Sequence, residues 1–334
     1  MSADSGKLVT TGRVVALCGG VGGAKLALGL QELLGERLTV VVNMADDFNH
    51  LGLHISPDLD TVLYTLGGLS DTERGWGRAG ETWNFMAALQ QVGGETWFQL
   101  GDRYLALHVE RTRRRALGET PTAIATDIAR RFGIRARILP ATDNDLRTIV
   151  TTPEGELEFQ RYFVARRCEP SVQSVHFQGC ESAAVTDDVC RALEADDLGL
   201  IVICPSNPYL SVDPILAVRG IVDQVRRARA PVVAVSPIIG GQAIKGPTRK
   251  IMDELGLAPT NAAIAAHYRG LIDGLIIDQA DAADAVALDI ETCIAPTLMT
   301  DLPSKAGLAE QVLAFGERLQ GKRSAAVAGS GDAS

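Results

Sequence analysis

The sequence has no Cys-x-x-Cys pair and no histidine spacing suited to a metal, although six cysteines and five histidines are scattered through its 334 residues. Zinc-site chemistry is therefore not expected. Cys18, Cys168, Cys180, Cys190, Cys204 and Cys293 lie partly in apolar runs, as reduced buried thiols do, which points to a reducing compartment. Long apolar stretches are also lacking. The longest, around Leu200 to Cys204 and Pro231 to Val235, are strand-sized and far short of the roughly 18 to 20 residues of a membrane helix. Met1 to Gly12 has no charged start, apolar core and small-residue cleavage site, so a cytoplasmic protein with no membrane association is expected. Nor is there an excess of positive charge. A net charge of −9, from groups spread along the chain, disfavours nucleic acid as partner and leaves small molecules, including small anions held by local amides or a metal.

What is present is apolar bulk: 46% of the residues, enough for one large α/β domain or a domain with a subdomain. Val14 to Cys18 and Leu38 to Val42 are runs without polar alternation, the pattern of parallel strands covered on both faces. Similar runs recur at Gly199–Cys204, Val232–Ser236 and Gly274–Ile277, separated by helical spacing such as Ile215 to Arg229. The expected fold is a doubly wound, mostly parallel, Rossmann-like α/β sheet spanning residues 13–315. Thr148–Thr152 and Glu156–Gln160 alternate on both sides of Pro153-Glu154-Gly155, an antiparallel hairpin within an inserted antiparallel and helical subdomain at about 70–190. Lys322 to Ser334 has no periodicity and reads as a disordered tail.

Gly19-Gly20-Val21-Gly22-Gly23 stands between the first strand and a helix with Leu26, Leu30, Leu33 and Leu34 at helical spacing. Glycines there let amides approach an anion, and the helix N-terminus adds partial positive charge, so Gly20, Gly22 and Gly23 are candidate phosphate ligands with Lys25 nearby. The string fits neither Gly-x-Gly-x-x-Gly nor a P-loop. Asp46 and Asp47 follow the second strand at the carboxyl edge where open α/β sheets bind ligands, and Asp58 and Asp60 come next. Carboxylates on two consecutive loops beside a phosphate suit Mg²⁺, or one could take a proton from a hydroxyl. Alternatively, Asp58 or Asp60 caps the helix opening at Thr61. Cys204–Pro208 and Ser236–Gly241 follow buried strands and bring Ser206, Asn207, Ser236 and Gly240 to the same edge, with Lys245-Gly246 beyond. Gln99 to Arg103 and Trp83-Asn84 are polar groups near aromatics that could line the pocket of a planar ligand, while Arg111 to Arg115 reads as a solvated helix face. Ser206 lacks the Gly-x-Ser-x-Gly setting of an activated nucleophile.

Taken together, Gly19–Lys25, Val42–Asp47, Ile55–Leu63, Leu100–Arg103, Pro205–Pro208, Ser236–Gly240 and Leu298–Thr300 resemble the 2-phospho-L-lactate transferase family of coenzyme F-420 biosynthesis, over about Arg13 to Asp301. The resemblance implies a Mg²⁺-dependent phosphotransferase. Its donor would be GMP joined through a diphosphate to a three-carbon acid, and its acceptor 7,8-didemethyl-8-hydroxy-5-deazariboflavin, with GMP released. It implies Asp47 and Asp60 at the metal and the ribityl chain, and Gln99 at the deazaflavin. Ser206, Asn207, Ser236, Gly240, Lys245 and Gly246 would lie on the guanosine diphosphate side, and the family suggests a homodimer. Two other classes share parts of the pattern: a nucleotide-sugar-binding regulator of the gluconeogenesis-factor type, and an NAD-dependent oxidoreductase. Ile55–Leu63 and Leu100–Arg103 favour the transferase over the first, and the glycine spacing disfavours the second. No residue distinguishes phospholactate, phosphoenolpyruvate and 3-phosphoglycerate as the donor's acid.

Overall fold

All five β-branched runs become parallel strands, and two less conspicuous segments complete the sheet. A computed structural model describes residues 12–243 and 248–331. Its main strands are β1 (Arg13–Cys18), β2 (Leu38–Val42), β3 (Arg137–Pro140) and β4 (Leu198–Ile203). They are followed by β5 (Val232–Val235), β6 (Gly274–Asp278) and β7 (Glu291–Ala295). The order across the sheet is β7-β6-β5-β4-β1-β2-β3, with every pairing parallel. β1 sends Val14, Ala16 and Cys18 into one core and Val15 and Leu17 into the other, which is why its run has no polar positions.

Helices α1 (Gly20–Leu34) and α4 (Leu302–Gly331) cover one face. Leu26 and Leu30 of α1 share a core with Leu308, Val312 and Phe315 of α4, each such burial contributing about 1.5–3 kcal/mol. Between β2 and β3 come the hairpin Phe48–His50/Leu53–Ile55, α2 (Pro57–Leu66) and α3 (Asp102–Ala116). From β1 the chain steps outward to β2 and β3, then returns to β4 on the other side of β1. That reversal opens a crevice at the carboxyl ends of β1 and β4.

Several expectations are corrected. The excursion at about 70–190 is divided, because β3 rejoins the main sheet in its middle. β3 is short and ends in Pro140, which an edge position tolerates because no ladder bond is lost there. β7 is the opposite edge and alternates, with Glu291 and Ile294 exposed, so it does not read as a buried run. The hairpin Arg147–Thr152/Gly155–Glu158 gains a third antiparallel strand, Ser174–Gln178. The helix expected over Ile215–Arg229 is broken into Asp213–Leu216 and Ile221–Arg227 by Gly220, whose φ of +98° is left-handed. The tail from Lys322 is helical to Gly331: Lys322 bonds to Glu291, and Arg323 bonds to Asp273 and to the Arg229 and Ala230 carbonyls. Asp332–Ser334, the rest of that tail, lie outside the described residues, as do Met1–Thr11 and the predicted site residues Lys245 and Gly246. Among the described residues no helix is long and apolar enough to cross a membrane.

Candidate functional site

The glycine turn is shaped first by what lies beneath it. A Cβ on Gly22 would sit 2.4 Å from the Pro205 carbonyl oxygen, and one on Gly23 would sit 2.5 Å from Ser206 Oγ and 2.8 Å from Cys18 Sγ. Only glycine lets the first turn of α1 press against the loop after β4. Ser206 completes the junction: its hydroxyl donates to the Gly19 carbonyl at 2.7 Å and accepts from the Gly19 amide at 3.2 Å. Gly20, at φ +63°, turns its amide to the carboxylate of Asp58, and Asn43 Nδ2 donates to the same carboxylate at 3.0 Å. Lys25 lies on the crevice wall, its Nζ donating to the Met299 carbonyl at 2.7 Å.

Four carboxylates gather here with different partners. Burial pushes Asp58 up to about 6, against the Asn43 and Gly20 hydrogen bonds that lower it. Burial, followed by the charge of Asp58, raises Asp46 well above the carboxylate range, and Thr148 Oγ1 donates to it at 3.3 Å. Asp47 is held from behind by His54 Nε2 and by the Ser56 hydroxyl, both at 2.8 Å. Its other oxygen, Oδ1, is buried with no hydrogen-bond partner. Asp60, 1% exposed, is gripped by the Arg111 guanidinium, with Nη1 at 3.2 Å, and receives the Tyr104 hydroxyl. Burial still leaves its carboxyl raised, the Arg111 charge opposing. Neither Asp58 nor Asp60 caps α2, which opens on Ser56 and Pro57 with no side-chain cap.

This floor is short of hydrogen bonds. Asp47 Oδ1, Tyr64 Oη, His108 Nε2 and Arg111 Nε are all buried without a partner, and such groups call for an explanation where they cluster. Burial, then the neighbouring Arg111, holds His108 well below the ordinary histidine range, so its ring stays neutral. Among the described residues no three His, Cys, Asp or Glu side chains converge on a metal position. The protein can thus offer a hard cation one or two carboxylates. The unpartnered oxygen of Asp47 has the donor chemistry such an ion takes, but it lies behind the cavity wall rather than on it.

A cavity of about 1050 Å³ runs from this crevice into a chamber walled by Tyr64, Trp76, Phe98, Tyr104, Phe159 and Phe163. Of the residues singled out in the sequence, Gly20, Gly22, Asp60, Gln99, Ser206, Asn207 and Ser236 line it. Gln99 donates its amide to the Thr96 carbonyl at 2.8 Å. Asn207 Oδ1 accepts from the amides of Tyr209 and Leu210, and Ser236 donates to Asn261 Oδ1 at 2.6 Å. Gly23 and Asp47 are not on the cavity wall, whereas Asp46 and Asp58 are. Gly240 is also off it: its amide and that of Gly241 bind the Asp281 carboxylate at 2.8 and 2.7 Å.

Two further readings change. Arg111 is 3% exposed rather than on a solvated face, and Arg114 is largely covered and paired with Glu119 and Asp127. Asp102 does not line the cavity. It caps the helix Asn84–Gln91 through the Asn84 and Phe85 amides, while Glu81 caps α3 through the Arg103 and Tyr104 amides. Gln160 and the Phe159/Phe163 pair also line the cavity, with no motif in the sequence to mark them. Tyr104, Leu107, His108 and Arg111 share one buried helix face, a spacing that marks Arg111 as inward.

An open parallel sheet whose switch-point crevice joins carboxylates and amides to an aromatic chamber is the architecture of a Rossmann-like α/β ligand-binding protein. The sequence matches the 2-phospho-L-lactate transferase CofD family over residues 14–302. It is 37% identical over 318 residues to a phosphoenolpyruvate transferase of Streptomyces griseus, covering 92% of this chain and 99% of that protein. It is 38% identical over 316 residues to a phosphoenolpyruvate transferase of Mycobacterium tuberculosis, covering 86% and 94%. A UPF0052 family member from Bacillus halodurans shares the fold, with a TM-score of 0.57 at 17% identity over 90% of this chain and 98% of that one. The chain belongs to the 2-phospho-L-lactate transferase CofD family, and with it to the phosphotransferase class of enzymes.

Proposed function

We propose that the protein moves a phospho-acid from a guanosine diphospho-acid to 7,8-didemethyl-8-hydroxy-5-deazariboflavin, releasing GMP, in coenzyme F-420 biosynthesis. The observation that carries this reading is one continuous cavity, polar at the β1/β4 switch point and aromatic beyond it. Its volume of about 1050 Å³ is at the upper end of small-molecule sites and suits two substrates meeting end to end. The phosphates lie against Gly20, Gly22 and Ser206, and the flat tricycle among the aromatic side chains. The terminal ribityl hydroxyl attacks the phosphorus nearer the acid, a new P–O bond forms, and the P–O bond to GMP breaks.

Such a transfer depends on placement and charge neutralisation more than on covalent catalysis. Asp60, fixed by Arg111 and Tyr104, orients the ribityl end, and Asp47 and Asp60 are the carboxylates offered to Mg²⁺. When bound, Mg²⁺ supplies positive charge to the diphosphate. Phosphoenolpyruvate is the acid to try first, because the curated relatives carry that name.

The test is product mass spectrometry with purified protein, the deazaflavin and each guanylylated acid, with Mg²⁺ or with EDTA. The expected result is GMP plus one phospho-acid adduct, lost in EDTA and lost in Asp47→Asn and Asp60→Asn proteins that fold normally. No adduct with any of the three acids overturns the reaction; full activity in both variants overturns the assigned roles.

A further inference from the structure

Gln160 makes no side-chain hydrogen bond to the described residues, although the residue is mostly covered. It follows the strand Gly155–Glu158 and stands at the N-cap of the π-helical turn Arg161–Ala165, with helical φ and ψ of −69° and −30°, yet its side chain caps nothing. The residue is 6% exposed and reaches the cavity wall. No described residue donates to or accepts from its amide group.

Its surroundings are rigid. Tyr162 is fully buried and packs with Phe159 against Val150, Val172, Leu210 and Ile251. On the cavity side, Phe159 and Phe163 stack with centroids 5.4 Å apart and planes 5° from parallel. The amide has no partner among the described residues and is not among the polar atoms shut off from solvent, so it stands open to whatever enters the cavity. A carboxamide presents one acceptor and two donors in a plane, which complements an adjacent C=O and N–H on a flat ring.

We propose that Gln160 is a specificity-determining residue that pairs with the imide edge of the acceptor's pyrimidinedione ring. This rests on the acceptor assigned above. Phe159, Phe163, Trp76 and Phe98 supply the stacking surface, and Gln160 fixes which edge of the ring is seated, so that the ribityl chain points to Asp60. Guanine also carries a lactam, but the donor's phosphates are assigned to the other end of the cavity, against Gly20, Gly22 and Ser206.

The test compares deazaflavin binding by fluorescence in wild type, Gln160→Met, which keeps the shape, and Gln160→Glu, which loses the N–H donors. A deazaflavin methylated at the imide nitrogen serves as a second ligand. Wild type is expected to bind the parent about 10-fold more tightly than the methylated compound, the effect of one buried hydrogen bond. Gln160→Met is expected to lose about 10-fold for the parent and to stop distinguishing the two ligands, and Gln160→Glu to lose more. GMP affinity and thermal midpoint stay unchanged. Parent affinity retained in Gln160→Met, discrimination that survives the substitution, or a loss confined to GMP each overturns the assignment. Wild type that binds no deazaflavin refutes the proposed function instead, so the two failures are separable.

Discussion

Exchanging Arg111 for methionine removes one half of a buried ion pair and leaves Asp60 without its counter-charge. The two side chains are 3% and 2% exposed, so solvent screens neither. Breaking such a pair from one side costs about 3–5 kcal/mol, because the desolvated partner loses its compensation. At about 1.4 kcal/mol per decade that is roughly 10²- to several 10³-fold in the folding equilibrium. With an unfolding entropy of about 0.7 kcal/mol per degree for 334 residues, the thermal midpoint falls by roughly 4–7 °C.

The double variant Asp60→Asn/Arg111→Met removes both charges and recovers most of the loss, which a simple packing defect at Arg111 would not allow. Thermal and urea melts of wild type, both single variants and the double give the coupling. A single-variant loss under about 1 kcal/mol, or a double variant that merely sums the two, refutes the assignment of Arg111 as the counter-charge of Asp60. Activity follows the same logic. Burial already raises the Asp60 carboxyl, and without Arg111 it climbs further, so product formation by Arg111→Met recovers as pH rises.

Gly22→Ala places a Cβ 2.4 Å from a backbone oxygen and is expected to cost about 1–3 kcal/mol in urea melts, more than Gly20→Ala, whose Cβ would meet nothing closer than Ser211 Oγ at 3.9 Å and which costs only left-handed backbone strain. Asp58 is raised from 3.8 to about 6, so its contribution to stability is full below pH about 4 and is lost as pH rises to about 6, a change of about 3 kcal/mol. Asp58→Asn is expected to flatten the urea midpoint across that window, and an unchanged slope counts against the buried carboxylate. Asp102→Ala removes the cap of the helix Asn84–Gln91 and is expected to speed hydrogen exchange at Asn84 and Phe85 while leaving the global midpoint nearly unchanged.

Legibility followed burial. β1, β2, β4, β5 and β6 are covered on both faces, so their apolar runs declare them. β3 and β7 are the sheet's edges, where Pro140 and the exposed Glu291 and Ile294 interrupt the run, and no single-sequence pattern separates them from loops. The glycine turn and the aspartate loops could be placed on the crevice because strand ends define it. Their division of labour could not. Whether Asp47 faces the cavity or stands behind it depends on His54 and Ser56, which reach it from a hairpin and a helix start. The burial of Arg111 depends on which face of α3 meets α2, which a run of arginines conceals.

Several residues that motif reasoning assigned to a ligand bind other parts of the protein. Ser206 ties β4's loop to Gly19, Asn207 caps the turn that follows it, Gly240 holds Asp281, and Gly23 admits Ser206 at close range. These bonds set the spacing between the two loops at the switch point before any substrate arrives. What the cavity wall still presents to a ligand is a small set of groups, Asp46, Asp58, Asp60 and Gln160, with the unpartnered Asp47 oxygen and Tyr64 hydroxyl buried just behind them. A phosphotransferase gains from that division. Its transition state asks for charges and amides already in place, and side chains locked by their own hydrogen bonds cannot collapse toward the phosphorus and so leave the attacking oxygen its line of approach.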